Sequence, residues 1–351
     1  MQARPGRAGW GFRPPRYDAR RACYTIQMNT RRSFLALPLL AAPAIAPGLA
    51  AAQTWPNRPV RIIIPFTPGG ASDLMMRPVA ERLERLLGQA FVIDNRAGGG
   101  GAVGLTAAAN ERPDGYTLLL STPGPLVLLP QTQSGLAYSA ARSFTYIALM
   151  GGAPILFAVA GNSPIRSLQD YAAAARRAPE AVSFGSSGIA SMGHLTGVLF
   201  GMQADAQLLH APFRGAPEAQ QAVLGGSTTS LWDTAAANVG AVRAGNLRGL
   251  CVSSAGRVAI LPDVPTAREA GFANVVSLNW FVLCGPAGLP AAISGRLAEA
   301  VRTVLAEPGI RERLDAAAFV RTEDVPQEGL AAWVEGEQTR WAPVIRASGA
   351  G

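Results

Sequence analysis

Three turns in this chain combine glycine, hydroxyl side chains and free backbone amides in the way an anion site requires. They are Pro68-Gly69-Gly70-Ala71-Ser72-Asp73, Ser121-Thr122-Pro123-Gly124 and Ser186-Ser187-Gly188-Ile189-Ala190-Ser191. Each follows an apolar run that reads as a strand. Glycine lets the backbone approach a ligand closely, and the first N–H groups of a helix, at the positive end of its dipole, suit a carboxylate. One such contact contributes about 0.3–1 kcal/mol from the dipole alone. Taken singly, each turn also reads as an ordinary helix cap; three of them in two halves of the chain favour binding.

Groups for catalysis are few. The chain has 2 histidines, His194 and His210, neither in metal-ligand spacing with a second histidine or a cysteine. It has no lysine, which excludes a Walker lysine and Schiff-base chemistry. Gly185-Ser186-Ser187-Gly188 does not flank one serine with glycines at the offsets of a nucleophile elbow. Gly99, Gly101 and Gly104 satisfy G-x-G-x-x-G. The acid that a dinucleotide site needs further on is missing, since no Asp or Glu occurs between Gly115 and Gln169. These glycines therefore read as a tight turn. No enzyme, cofactor or metal site is expected.

The elements that must position the turns alternate strand with helix, which predicts parallel sheets joined by crossover helices. Val60–Phe66 is an Ile-rich run suited to a strand buried on both faces. A helix is expected from Ser72 or Asp73, either of which can cap it, to Gly88, with Leu74, Val79, Leu83 and Leu86 or Leu87 on its buried face. Pro78 lies past its first turn and should kink it. Further strands are read at Phe91–Asp94, Tyr116–Ser121, Ile155–Ala160, Val182–Gly185, Leu208–Phe213, Ser230–Asp233, Leu247–Ser253 and Leu278–Leu283. Intervening helices include Ser167 or Asp170 through Arg177, Pro217–Leu224 and Ala235–Ala244, and the chain is helical from Ile293 onward.

The net charge of +8 suggests nucleic acid until the charges are located. Eight arginines and one acid lie in residues 1–52, leaving 23 arginines against 22 acids in the rest. A near-neutral body exerts little pull on phosphate backbones, so no nucleic-acid partner is expected. From Met28 the leader reads as a signal peptide. Arg31 and Arg32 form its charged region, Phe34–Leu49 is apolar, and Ala50-Ala51-Ala52 offers a cleavage site. Thr30-Arg31-Arg32-Ser33-Phe34-Leu35 is compatible with a twin-arginine signal as well as an ordinary one. An uncleaved anchor is the alternative, although the apolar stretch is short and broken by prolines. Residues 1–27 carry no folding pattern, and Met28 is the expected start. Beyond the leader only Cys251 and Cys284 remain. They read as two buried thiols, a bridge requiring that their strands be neighbours.

The motifs resemble those of the tripartite tricarboxylate transporter substrate-binding (Bug) family. The resemblance starts at Trp55-Pro56, Arg58-Pro59-Val60-Arg61-Ile62-Ile63-Ile64-Pro65-Phe66, Pro68-Gly69-Gly70 and Asp73. It continues through Leu87-Gly88-Gln89, Asp94-Asn95-Arg96, Pro113-Asp114-Gly115-Tyr116-Thr117-Leu118 and Gly185-Ser186-Ser187-Gly188 with Ser191 and His194-Leu195. It ends with Pro212-Phe213-Arg214-Gly215, Leu261-Pro262-Asp263-Val264-Pro265-Thr266, Glu269-Ala270-Gly271 and Gly285-Pro286-Ala287-Gly288. The resemblance implies a type II periplasmic binding-protein fold: two α/β lobes with a ligand cleft between them. Lobe 1 would comprise 53–154 and 275–351, and lobe 2 155–274. It also implies a periplasmic, monomeric receptor that captures a small organic acid for membrane transporter subunits. A sensor that signals to a membrane partner without transport is the alternative. Carried over by position, the ligand contacts would be Phe66, Pro68, Gly69, Gly70, Asp73, Thr122, Ser186, Ser187, Ser191, Arg214 and Asp233. Asp73 would cap its helix or order water, His194 would be structural, and Arg214 would meet a carboxylate or form a hinge or surface ion pair. The chain departs from the family at Ala190, where glycine is usual, at Pro78, and in the stiff Thr122-Pro123-Gly124-Pro125 turn.

Overall fold

The computed structural model describes residues 55–349 apart from 180 and 323, so the leader read in residues 1–52 lies outside the described residues. From the amino end the elements are β1 (Val60–Ile64), α1 (Ala71–Leu87), β2 (Phe91–Asn95), α2 (Ala102–Ala109), β3 (Thr117–Ser121), the short α3 (Leu129–Thr132) and β4 (Phe144–Ala160). Then come α4 (Leu168–Arg177), β5 (Ser183–Ser186), α5 (Met192–Ala204), β6 (Leu209–Pro212), α6 (Ala216–Leu224), β7 (Ser230–Thr234) and α7 (Ala235–Arg243). The chain finishes with β8 (Leu247–Val252), β9 (Leu278–Pro286), α8 (Ala291–Ala306), α9 (Pro308–Ala316) and α10 (Leu330–Ala347).

The strands run in the order β2-β1-β3-β9-β4-β7-β5-β6, with β8 also paired to β4. Two groups within this order are parallel: β2-β1-β3, and β7-β5-β6. The 17-residue β4 joins them. From Phe144 to Pro154 it pairs with β9, and from Ile155 onward it pairs with β7 and β8, antiparallel throughout. Sequence reading caught only its second half, because Gly151, Gly152 and Pro154 interrupt the apolar run. Here the two glycines meet close neighbours instead of ending the strand. A methyl on Gly152 would lie 2.6 Å from the Leu278 side chain, and one on Gly151 would lie 3.0 Å from the Val320 carbonyl oxygen.

The cap of helix α1 lies two or three residues earlier than expected, at Gly70 in place of Ser72 or Asp73. It buries Met75, Met76, Val79, Ala80 and Leu83, while Leu74 and Leu86 are exposed. The expected buried face was therefore rotated, because the two methionines take the core positions that leucine seemed to claim. The helix runs through Pro78, which lies on the buried face, and ends at Gly88 in the left-handed conformation, φ 76°. At α4 the expected cap holds, with Asp170 N donating to Ser167 Oγ at 3.0 Å.

An aromatic cluster ties β4, α4, α5 and β7 together. Phe157 stacks on Trp232 at 4.3 Å between ring centroids and meets the edge of Tyr171 at 4.5 Å, with Phe200 at 6.1 Å. All four side chains are fully buried. Cys251 on β8 and Cys284 on β9 are buried free thiols, and burial pushes both thiols up. Their strands both pair with β4 but not with each other, which settles the cysteine question against a bridge.

Replacing Phe157 by alanine should destabilise the fold by about 3–5 kcal/mol through lost burial and the cavity left behind. Leu86→Ala, on the exposed face of α1, should stay within about 0.5 kcal/mol. Urea unfolding curves of the two variants measure both.

Candidate functional site

Four helices begin at one cavity. Each follows a strand of a parallel group: α1 after β1, α5 after β5, α6 after β6 and α7 after β7. Their first residues line the cavity: Gly70, Ala71 and Ser72 at α1, Ser191, Met192 and Gly193 at α5, Gly215 and Ala216 at α6, and Thr234 at α7. The first N–H groups of a helix have no partner within it. Only α5 satisfies one with its own cap, the Ser191 hydroxyl accepting from His194 N at 3.1 Å. Helices α1, α6 and α7 have no side-chain cap. The cavity is narrow, with a volume of about 50 Å³. It adjoins an outer groove of about 880 Å³, with which it shares Phe66, Thr67, Gly100, Ser187 and Ile189.

Of the residues singled out from sequence, Phe66, Gly70, Thr122, Ser187, Ser191 and Asp233 line this cavity. Pro68, Gly69, Asp73, Ser186 and Arg214 do not, and their geometry gives each another place. Asp73 is buried, and its carboxylate organises the loop ahead of α1. Oδ2 accepts from Gly69 N at 2.7 Å and from the Arg77 guanidinium at 3.1 Å, while Oδ1 accepts from Asn95 Nδ2 at 3.0 Å. Asn95 also donates to the Phe66 carbonyl at 3.1 Å, so one network fixes the whole Phe66–Asp73 turn. Pro68 and Gly69 are the exposed tip of that turn. Arg214 is exposed on the outer groove beside Glu218, whose carboxylate accepts from Arg214 N at 3.1 Å.

Ser186 is fully buried beneath the 186–191 turn. Its hydroxyl accepts from Ser191 Oγ at 3.2 Å and from Gly188 N at 3.3 Å, and it meets His210 Nε2 at 2.7 Å. His210 stacks on His194 with centroids 3.9 Å apart, and His194 Nδ1 accepts from Ala190 N at 3.3 Å. Burial holds His194 down to about 4 and His210 to about 3, the latter also through its neighbour, so both imidazoles are neutral at neutral pH. This serine–histidine contact was not anticipated from the sequence. It props the turn, and the serine does not line the cavity.

Asp233 is the one titratable side chain on the cavity wall among the described residues. Its Oδ1 accepts from the Thr234 amide at 2.6 Å and the Thr234 hydroxyl at 3.3 Å. Its Oδ2 is buried with no hydrogen-bond partner. Burial pushes its acid up to about 6, opposed by the Thr234 hydrogen bonds and by the nearby Ser187 amide and hydroxyl, which lower it without meeting hydrogen-bond geometry to either oxygen. Sequence reading missed the wall residues Ser72, Gly100, Gly215, Thr234 and Asn279. The helix starts after β6 and β7 were legible and belong to the same class as those recognised, whereas Asn279 reaches the cavity only because β9 lies beside β4.

The two banks of the cleft meet at glycines. A methyl on Gly124 would lie 2.9 Å from the Ala190 carbonyl oxygen, and one on Gly215 would lie 2.7 Å from Thr67 Oγ1. Ala190 itself sits at φ 57°, in the left-handed region that favours glycine.

Among the described residues no group of three His, Cys, Asp or Glu could hold a metal, and no helix is long and apolar enough to cross a membrane. The family model "Tripartite tricarboxylate transporter family receptor" matches residues 75–350. BugT of Bordetella pertussis is 31% identical over 324 residues, covering 92% of this chain and 99% of its own. Among solved structures, R. palustris Rpa4515 with adipate is similar at 30% identity and TM-score 0.81, covering 84% of this chain and 98% of that one. MatC of Rhodopseudomonas palustris with bound malate is similar at 29% identity and TM-score 0.77, covering 83% and 100%.

Two substitutions test this geometry. Gly124→Ala should weaken ligand capture at least about tenfold, because its methyl meets backbone across the cleft, while the unliganded melting temperature moves by no more than about 2 °C. Ala190→Gly should melt at or slightly above the parent, by up to about 1 kcal/mol, as relief of left-handed strain outweighs the added freedom of the unfolded chain. Titration calorimetry reads the first and thermal unfolding the second.

Proposed function

Because the chain belongs to the tripartite tricarboxylate transporter receptor family, we propose that it captures a small organic carboxylate in the periplasm. It then presents that ligand to the membrane subunits of a tripartite tricarboxylate-type transporter. The observation that carries this reading is the convergence of four helix N-termini on a cavity whose wall, among the described residues, has no basic side chain. Four dipole ends at about 0.3–1 kcal/mol each supply about 1–4 kcal/mol of attraction for an anion. Uncapped amides then act as its hydrogen-bond donors. The malate and adipate held by the two similar R. palustris proteins support the same ligand class.

In this reading Phe66, Gly70, Ser72, Thr122, Ser187, Ser191 and Asp233 touch the ligand. Asp73 and Ser186 hold the two turns in shape, and Arg214 stands at the outer mouth. The lobes divide at the change of β4 partner, 53–154 with 275–351 against 155–274, and they close on the ligand as a hinge. The protein works as a monomer that binds and releases without turnover. Its leader exports it through a cleaved signal.

A thermal-shift screen of organic acids tests the proposal. At ligand about 100-fold above its dissociation constant, stability should rise by about 2.7 kcal/mol. The expected hits include malate, adipate or acids of similar size. If neither these nor any other carboxylate raises the melting temperature, the reading is wrong, and turnover of a bound acid would replace it with an enzyme.

A further inference from the structure

The carboxylate reading leaves Asp233 as a physical problem. It is the sole titratable group on the cavity wall among the described residues, it is acidic, and the proposed ligand is an anion. The oxygen that Thr234 does not engage, Oδ2, is buried and has no hydrogen-bond partner. A buried acceptor without a donor is costly. Two carboxylates confined to one dry site cannot both stay ionised, and the pair takes up a proton between them.

Resting on that reading, we propose that this receptor binds its ligand together with one proton, carried on Asp233 Oδ2 and donated in a hydrogen bond to the ligand carboxylate. The balance is simple: anion and proton enter, and no covalent bond to carbon is made or broken. The unpartnered oxygen becomes a donor, and the ligand oxygen gains a partner that the helix amides do not provide.

Among the described residues no other titratable side chain supplies or competes for that proton. The neutral donors beside the carboxylate, apart from Thr234, are the Ser187 hydroxyl and amide, which favour its ionised form. The Ile155–Val159 part of β4 that pairs with β7 has no titratable side chain, and neither has β5. Helix α5 contributes His194, already accepting from Ala190 N and held neutral. Glu218 on α6 and Arg243 on α7 are not on the cavity wall, and Tyr171 of α4 bonds Ser230 at the far end of β7. Across the cleft Asp73 is committed to Gly69, Arg77 and Asn95. The rise of Asp233 to about 6 comes from burial, with no charged neighbour among its causes. The sign follows: above that value the free receptor must gain a proton to bind, so affinity falls as pH rises.

The test is titration calorimetry with malate and adipate from pH 6.5 to 8.0, where both acids are ionised, in two buffers of different ionisation enthalpy. We expect close to one proton taken up per ligand near pH 8 and a dissociation constant weakening about tenfold per pH unit. Asp233→Asn, whose amide donates permanently, should bind at pH 8 at least as tightly as the parent at pH 6.5, with no pH slope. Its unliganded melting curve should match the parent or exceed it, which controls for folding. Binding with no proton uptake and the same affinity across the range overturns the proposal while leaving the carboxylate reading standing. So does binding of malate alone that Asp233→Asn abolishes, since the ligand hydroxyl would then be the donor to Oδ2. If neither acid binds even at pH 5.5, the same titration is run with whichever carboxylate the thermal-shift screen returns, and only if that screen returns none do both readings fall together.

Discussion

Parallel strands cannot be joined by a tight turn; each needs a crossover, and the crossover helix begins at the carboxyl end of the strand before it. That constraint generates the site. In each parallel group the helix starts gather along one edge, with α1 on one side and α5, α6 and α7 on the other. The long antiparallel β4 then sets the two groups in one continuous sheet by changing partners at Pro154 and Ile155. A single small cavity thereby receives four sets of unpaired amides without any one loop being specialised for the purpose.

Amides make a useful site only if the turns that carry them hold still. Two buried polar networks do this work on opposite banks. On one, Asp73 draws in Gly69, Arg77 and Asn95. On the other, Ser186 links Ser191 to His210, and stacked His194 holds the amide of Ala190. Both histidines are neutral because burial depresses them, so the second network stays intact across the whole neutral range. Asp73 and Ser186, at the centres of the two networks, lie off the cavity wall, while Ser191 and Ala190 carry the second network onto it.

This division explains what was legible in the sequence. Alternating strands and helices gave away the architecture, and glycine-rich turns gave away Gly70, Thr122, Ser187 and Ser191, because local chemistry decides helix starts. The turn at Phe66–Asp73 was recognised, yet its cap was assigned to Ser72 or Asp73 when Gly70 holds that place. A side chain three residues into a helix can tie the preceding loop without being the cap. The first half of β4 was invisible, since Gly151, Gly152 and Pro154 break its pattern for tertiary reasons. Asn279 and the contact of Ser186 with His210 were likewise hidden, because each depends on which strand lies beside which.

Among the described residues no basic side chain lines the cavity, and this has a consequence for how such a site holds an anion. A buried arginine would hold a carboxylate through charge-assisted, bidentate bonds, and breaking that pair on release would leave an uncompensated charge. Helix dipoles and amides offer each contact less, and most of their attraction depends on water being excluded. Exclusion in turn depends on the banks meeting, Gly124 against Ala190 and Gly215 against Thr67. Separate those contacts and water reaches every amide at once, so the hold on the ligand weakens together across the site. The closeness of the two banks therefore governs how far water is kept from the amides, and a glycine stands on one side of each meeting point, against the Ala190 carbonyl and the Thr67 hydroxyl.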